Sequence, residues 1–129
     1  MAIKQRFYAI TVGVGGQLLQ QAANEDVQHI LTFTDAPSPL GTGALVDLTD
    51  MQSLTMTAVD SSGNQLFQVI GTVIGAPSGA TAGFTVAHGT LTGKSAQNYK
   101  VDVKLIDTAN NQNQLLAQSV FAVVPSVTP

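Results

Sequence analysis

The chain has 129 residues, of which 44% are hydrophobic and only 10% are charged, and its formal net charge is −3. This length predicts a single domain over residues 1–129 with one hydrophobic core. The five basic residues are dispersed, which argues against binding to nucleic acid or to an anionic membrane surface. The absence of cysteine excludes disulfides and thiolate-bound metals.

The first third of the sequence predicts two strands joined by a polar connection. Residues 5–14 alternate in hydrophobicity, as expected for a strand with one buried face. They lack the long apolar segment of a signal peptide, so we do not expect the chain to be secreted on its own. Leu18 and Leu19 favour a helical turn within the connection, and residues 27–34 predict the second strand.

The middle of the chain alternates between turn signals and short apolar runs. Prolines and glycines mark a surface loop at residues 35–43, and residues 46–50 predict a turn. Two β-rich runs, residues 54–60 and 66–74, flank the sequence Ser-Ser-Gly-Asn and predict a hairpin. A loop at 77–82, a short strand at 83–88 and a crossing loop at 89–97 complete this part.

The last third contains the clearest strand pattern. Residues 98–106, NYKVDVKLI, alternate apolar and polar side chains, and a turn at 107–114 leads to an apolar run at 115–124. We interpret this pair as the central hairpin. Tyr99 is either a tyrosine corner, whose phenol bonds an upstream backbone group, or an ordinary half-buried aromatic. Residues 125–129 are expected to form a frayed tail.

These elements predict an all-β fold: an antiparallel, Ig-like β-sandwich of about seven or eight strands. Short strands, frequent turn signals and the lack of a long helical period all favour it. A small closed barrel is the structural alternative.

No group of residues suited to catalysis is visible in the sequence. His29 and His88 are the only side chains that normally titrate near neutral pH, and no nucleophile motif accompanies them. Asp47, Asp50 and Asp60 fall at predicted turns, as does Asp107, where aspartate usually accepts backbone N–H bonds. We therefore predict a protein without catalytic residues, cofactor or metal.

Two apolar stretches point to association with other proteins. Residues 120–124 and 67–74 are apolar on both faces, whereas a strand covered on one side should be polar on the other. Either a loop of the same chain covers the second face or another subunit does. The candidate interface residues are Phe67, Val69, Val120, Ala122 and Val124.

The order of these elements resembles the Ig-like β-sandwich domains of tailed-phage virion proteins. It is similar to the N-terminal domain of siphophage upper-baseplate proteins. The matching segments are the opening strand, HILTFTD from His29, VDLTD from Val46, the hairpin around Asp60, NYKVDVKLID from Asn98, and SVFAVV from Ser119. The resemblance implies a virion location, docking to other virion structural proteins, and no catalysis.

The leading hypothesis is therefore a structural protein of a phage or phage-like particle, in a tail, baseplate or capsid surface. It would form a homo-oligomer and contact other subunits through apolar surfaces or by strand addition. The alternative is a bacterial surface module, either an Ig-like adhesin or a glycan-binding domain. An enzyme would require His29 or His88 beside a carboxylate in a deep pocket.

Overall fold

The computed structural model describes residues 3–12, 16–35, 43–91 and 93–124, which form two packed β-sheets. The strands, in chain order, are β1 (Lys4–Thr11), β2 (Leu18–Ala22), β3 (Val27–Thr34), β4 (Met51–Val59), β5 (Gln65–Ile70), β6 (Thr72–Val73), β7 (Thr81–Val86), β8 (Asn98–Asp107) and β9 (Gln112–Val124). A short helix, α1 (His88–Leu91), and a 3₁₀ turn, Pro77–Gly79, lie among them. Within these residues no helix is long and apolar enough to cross a membrane.

The two sheets have different sizes and share one hydrophobic core. The four-stranded sheet has the order β1-β3-β7-β6, and the five-stranded sheet has the order β2-β9-β8-β4-β5. Alternate residues of each strand face the layer between them, which explains the period of two in the sequence. Phe33, Phe84 and Phe121 are fully buried in this layer. The all-β class predicted from the sequence is confirmed, and the two separate sheets identify a sandwich.

The central hairpin is confirmed. β8 is the middle strand of the five-stranded sheet and pairs with β9 on one side and β4 on the other. Tyr99 is buried, and its hydroxyl donates a 2.9 Å hydrogen bond to the carbonyl oxygen of Ser95. This is the geometry of the tyrosine corner, which anchors the loop that enters β8.

The prediction of an antiparallel sandwich with seven or eight strands needs correction. β1 runs parallel to β3, and β2 runs parallel to β9, so both sheets are mixed. The described residues form nine strands, and one of the additions is β2, which replaces the helical turn expected at Leu18 and Leu19. Leu19 and Gln21 are buried while Leu18 and Gln20 are exposed, an alternation that fits a strand and not a helix.

The second arm of the predicted hairpin is two strands instead of one. The run at 66–74 divides at Gly71, where the chain leaves the five-stranded sheet as β5 and joins the four-stranded sheet as β6. A Cβ atom at Gly71 would lie 2.5 Å from the ring of Phe84, so only glycine fits this crossing.

Smaller differences concern the loops. β7 begins at Thr81, inside the predicted loop at 77–82, and α1 occupies the start of the predicted crossing loop. The proline-rich loop falls mostly on residues 36–42, and the tail on 125–129. Both segments lie outside the described residues.

Candidate interaction surfaces

Three of the five predicted interface residues form one surface on the outer face of β9. Val120, Ala122 and Val124 are half-buried, whereas Phe121 and Val123 between them point into the core. β2 extends this surface, because Leu18 lies beside Val120 in the parallel pair and is 55% exposed. We call Leu18, Val120, Ala122 and Val124 the β9 surface. It is an apolar strip along one margin of the five-stranded sheet.

The other two predicted residues do not belong to this surface. Phe67 is 4% exposed and packs edge to face on Phe121, with the ring centroids 5.0 Å apart. Val69 is half-buried and packs against the same core. Both point inward from β5, at the opposite margin of the sheet. Phe67 therefore contributes to packing within the chain.

Among the exposed apolar residues that sequence reasoning missed, three lie within strands. Ile70 is 77% exposed on β5, Phe7 is 72% exposed on β1, and Leu18 was assigned to a helical turn. Phe7 carries the only detectable signal, because it occupies the position opposite to Tyr8 and Ile10 in the alternation of the first strand. Ile70 gave no signal, since the run at 67–74 was interpreted as apolar on both faces.

A chain of hydrogen bonds joins the two sheets at the β1 and β2 margin. His29 is fully buried, with Nδ1 3.0 Å from the Tyr8 hydroxyl and Nε2 2.8 Å from Oε1 of Gln21. The Gln21 side-chain nitrogen donates to the carbonyl oxygens of Val86, at 2.8 Å, and of Glu25, at 2.7 Å. The Tyr8 hydroxyl also bonds the backbone of Gln20. We call Tyr8, His29 and Gln21 the polar chain.

The polar chain fits a neutral imidazole with one defined tautomer. Gln21 uses its amide nitrogen for two carbonyls, so its oxygen is left to accept a proton from Nε2 of His29. Nδ1 then accepts from the Tyr8 hydroxyl. Burial, aided by the Arg6 guanidinium nearby, lowers the pKa of His29 to about 4. Burial also raises the pKa of Tyr8. His29 thus has a structural role between the sheets.

The second histidine lies beside a carboxylate on the surface. Oδ1 of Asp26 is 2.8 Å from both the backbone nitrogen and Nδ1 of His88. These side chains are 42% and 60% exposed, so the pair is hydrated. The bonds from His88, led by its backbone N–H, lower the pKa of Asp26. The contact fastens the start of α1 to the turn before β3.

The carboxylates hold turns, as the sequence predicts. Oδ1 of Asp60 accepts the N–H groups of Ser62 and Asn64 at 2.9 Å, and Asp107 holds the β8–β9 turn in the same way. Asp47 accepts the Thr49 N–H, also at 2.9 Å. These hydrogen bonds lower the pKa of all three carboxyl groups. Asp50 contributes its backbone carbonyl, which accepts the Thr108 N–H at 3.0 Å.

A groove of about 520 Å³ lies at the end of the sandwich that carries the turns of Asp47, Asp50 and Asp107. Its polar lining includes Asp35, Asp47, Asp50 and Asp107, and its apolar lining includes Val12, Leu45, Val46, Met51, Leu105 and Leu115. No cluster of histidine, aspartate and glutamate that could hold a metal ion occurs in the described ranges. The turn bonds made by Asp47 and Asp107 account for two of the four carboxylates.

Comparisons with known proteins identify a structure with a similar fold. No protein-family model matches this chain, and no curated protein matches it. Among solved structures, the N-terminal domain of phage TP901-1 ORF48 superposes with a TM-score of 0.62. The alignment covers 96% of this chain and 99% of that domain, at 5% sequence identity. The resemblance to an N-terminal domain of a phage protein, first seen in the order of sequence elements, is confirmed at the level of the fold.

Proposed function

We propose that this protein is a non-catalytic structural component of a phage or phage-like particle, located in the virion. The observation that carries the proposal is the shared fold with a phage protein domain over nearly the whole of both chains. The sequence resemblance to siphophage upper-baseplate domains favours a position in the tail or baseplate.

The chemistry of the described residues supports a role without catalysis. His29 is locked in the polar chain, His88 binds Asp26, and the turn aspartates accept backbone N–H groups. A catalytic acid or base must be free to exchange a proton with a substrate. His29 and the turn aspartates instead hold the fold in which they lie, and the His88–Asp26 pair lies on the open surface.

The β9 surface supports docking to neighbouring subunits. It places four apolar side chains together at the margin of a sheet, where a partner can cover them without unfolding the chain. Burial of apolar area supplies most of the free energy of such contacts. The partners proposed are other virion structural proteins and further copies of this chain.

The experiment is incorporation into particles, measured by quantitative mass spectrometry of gradient-purified virions. Wild-type protein should appear at a fixed copy number per particle. The variant Ala122→Glu places a charge on the β9 surface and should fold but fail to be incorporated. The matched control Thr85→Glu alters an exposed residue of the other sheet and should be incorporated normally. Recovery of the wild-type protein only from the host fraction would refute the proposal.

A further inference from the structure

The four edge strands of the sandwich differ in their protection against pairing with other strands. Unpaired backbone groups on an edge invite strand addition, and proteins counter this with charges, short strands or covering groups. β1 carries Lys4 and Arg6, and β6 has only two residues. On β2, Tyr8 bonds the backbone of Gln20, and Oε1 of Glu25 accepts the N–H of Ala22 at 3.3 Å. Three edges are thus protected.

The fourth edge, β5, is protected neither by charge nor by shortness, although the helix α1 lies close to part of it. Its six residues include no charge and no proline. The Gly71 N–H donates to the Leu54 carbonyl at 2.7 Å. Because backbone groups alternate in direction along a strand, those of Val69 and Phe67 are also directed at β4. The N–H and C=O groups of Gln68 and Ile70 are therefore directed away from the sheet. In the parts of the chain that the structure describes, no side chain hydrogen-bonds to them.

The accessible part of this edge is its second half. Leu66 and Phe67 are 8% and 4% exposed, whereas Gln68 is exposed and Ile70 is 77% exposed. Ile70 has the highest exposure among the large hydrophobic side chains of the described residues. An apolar side chain and four unpaired backbone groups therefore lie together on one uncharged edge.

We propose that β5 pairs with β5 of a second copy of this chain. The two strands run antiparallel about a twofold axis near Val69, which joins the two five-stranded sheets into one. In such a symmetric antiparallel pair, the outward N–H and C=O groups of Gln68 in one copy bond those of Ile70 in the other, and the reverse. Ile70 of each copy then lies across from Gln68 of the other, on the outer face of the sheet.

Charge favours a second copy as the occupant. Neither strand contributes a charge, so antiparallel pairing brings no like charges together and desolvates none. The pairing leaves the β9 surface free, because that surface lies at the opposite margin of the sheet. This inference specifies one contact of the assembly proposed above and rests on that proposed function, but it is tested on the isolated protein.

The first test is sedimentation equilibrium from about 1 mM down to about 1 μM protein. We expect a reversible monomer–dimer equilibrium. Ile70→Lys brings a charge to the pairing edge of each copy and should weaken dimerisation at least about tenfold. The control Thr85→Lys alters an exposed residue of the other sheet, outside both surfaces, and should leave the dimer unchanged. Thermal melting checks that both variants fold.

The second test uses the absence of native cysteine. In the proposed register the two Val69 residues face each other as a non-hydrogen-bonded pair, with Cα atoms about 4.5 Å apart, which suits a disulfide. Val69→Cys should cross-link the dimer on oxidation, and Thr85→Cys, on the other sheet, should not. A wild-type protein that stays monomeric throughout, or equal weakening by both lysine variants, would overturn the inference. Incorporation into virions would still stand, because it is measured separately.

Discussion

Acidification should destabilise this protein through His29. The polar chain holds a neutral imidazole, and its pKa of about 4 compares with an ordinary value of 6.5 that applies when the chain unfolds. The unfolded state therefore binds the proton more tightly, so stability falls as the pH drops through 6.5 and stops falling below about 4.

The size of this effect follows from the two pKa values. A difference of one pKa unit corresponds to about 1.4 kcal/mol. The linkage therefore lowers the free energy of unfolding by about 2 kcal/mol at pH 5 and by about 3 kcal/mol at pH 4, relative to neutral pH. The hydrogen-bonded carboxylates act in the same direction, but mainly below their usual pKa values of 3.8 to 4.5. The range from pH 7 to pH 5 therefore lies above the region in which the carboxylates act.

The assay is urea unfolding at pH 7, 6 and 5, followed by circular dichroism. Wild-type protein should lose about 2 kcal/mol across this range. His29→Gln removes the titrating group and should be less stable at pH 7 but nearly independent of pH. His88→Gln removes the exposed histidine in the same way and is the matched substitution. An equal dependence on pH in wild type and His29→Gln would refute the assignment of a buried, neutral His29.

Three further substitutions test the packing. Tyr99→Phe removes the bond to the Ser95 carbonyl and should lower the free energy of unfolding by about 1 kcal/mol in urea unfolding, whereas no change would show that the corner is not stabilising. Gly71→Ala forces a methyl group against Phe84 and should lower the free energy of unfolding by about 1–3 kcal/mol. Its control, Gly79→Ala, places the methyl group in open space and should lower it by less than about 1 kcal/mol. Equal losses in the two variants would contradict the close crossing at Gly71. Val103→Asp buries an unpaired charge and should abolish the cooperative thermal transition; an unchanged melting temperature would show that β8 is not central.

The sequence predicted well those elements whose alternation matches their burial. β3 has the predicted bounds, and β8 extends only one residue beyond its predicted end. In β8, Tyr99, Val101 and Val103 are buried while their neighbours Lys100 and Lys104 are exposed, so hydrophobicity reports the inward face directly. The turn aspartates were predictable for a similar reason, since their partners lie two to four residues away.

The elements that were missed depend on contacts distant in sequence. β2 was missed because two of its five residues are glutamines. One of them, Gln21, nevertheless faces the core, where three partners satisfy its amide group. Its strand conformation comes from parallel pairing with β9, about a hundred residues later, which no local pattern encodes. The break at Gly71 likewise reflects the ring of Phe84 in another strand.

Only the three-dimensional structure shows which of the candidate interface residues face outward and which face the core. Val69 and Val124 both belong to apolar runs, but Val69 on β5 faces the core whereas Val124 on β9 faces outward. Alternation alone cannot distinguish the two faces when both are apolar. The exposed fractions of Ile70 and Leu18 then identify which margins of the sheet remain available.

A cryo-electron microscopy reconstruction of the intact particle tests the central claim most directly, because it shows both the sandwich and its neighbours. We expect density for the two-sheet fold at repeated positions, with Val120, Ala122 and Val124 covered by an adjacent subunit. Particles without density for this fold, or copies whose β9 surface faces solvent at every position, would contradict the account.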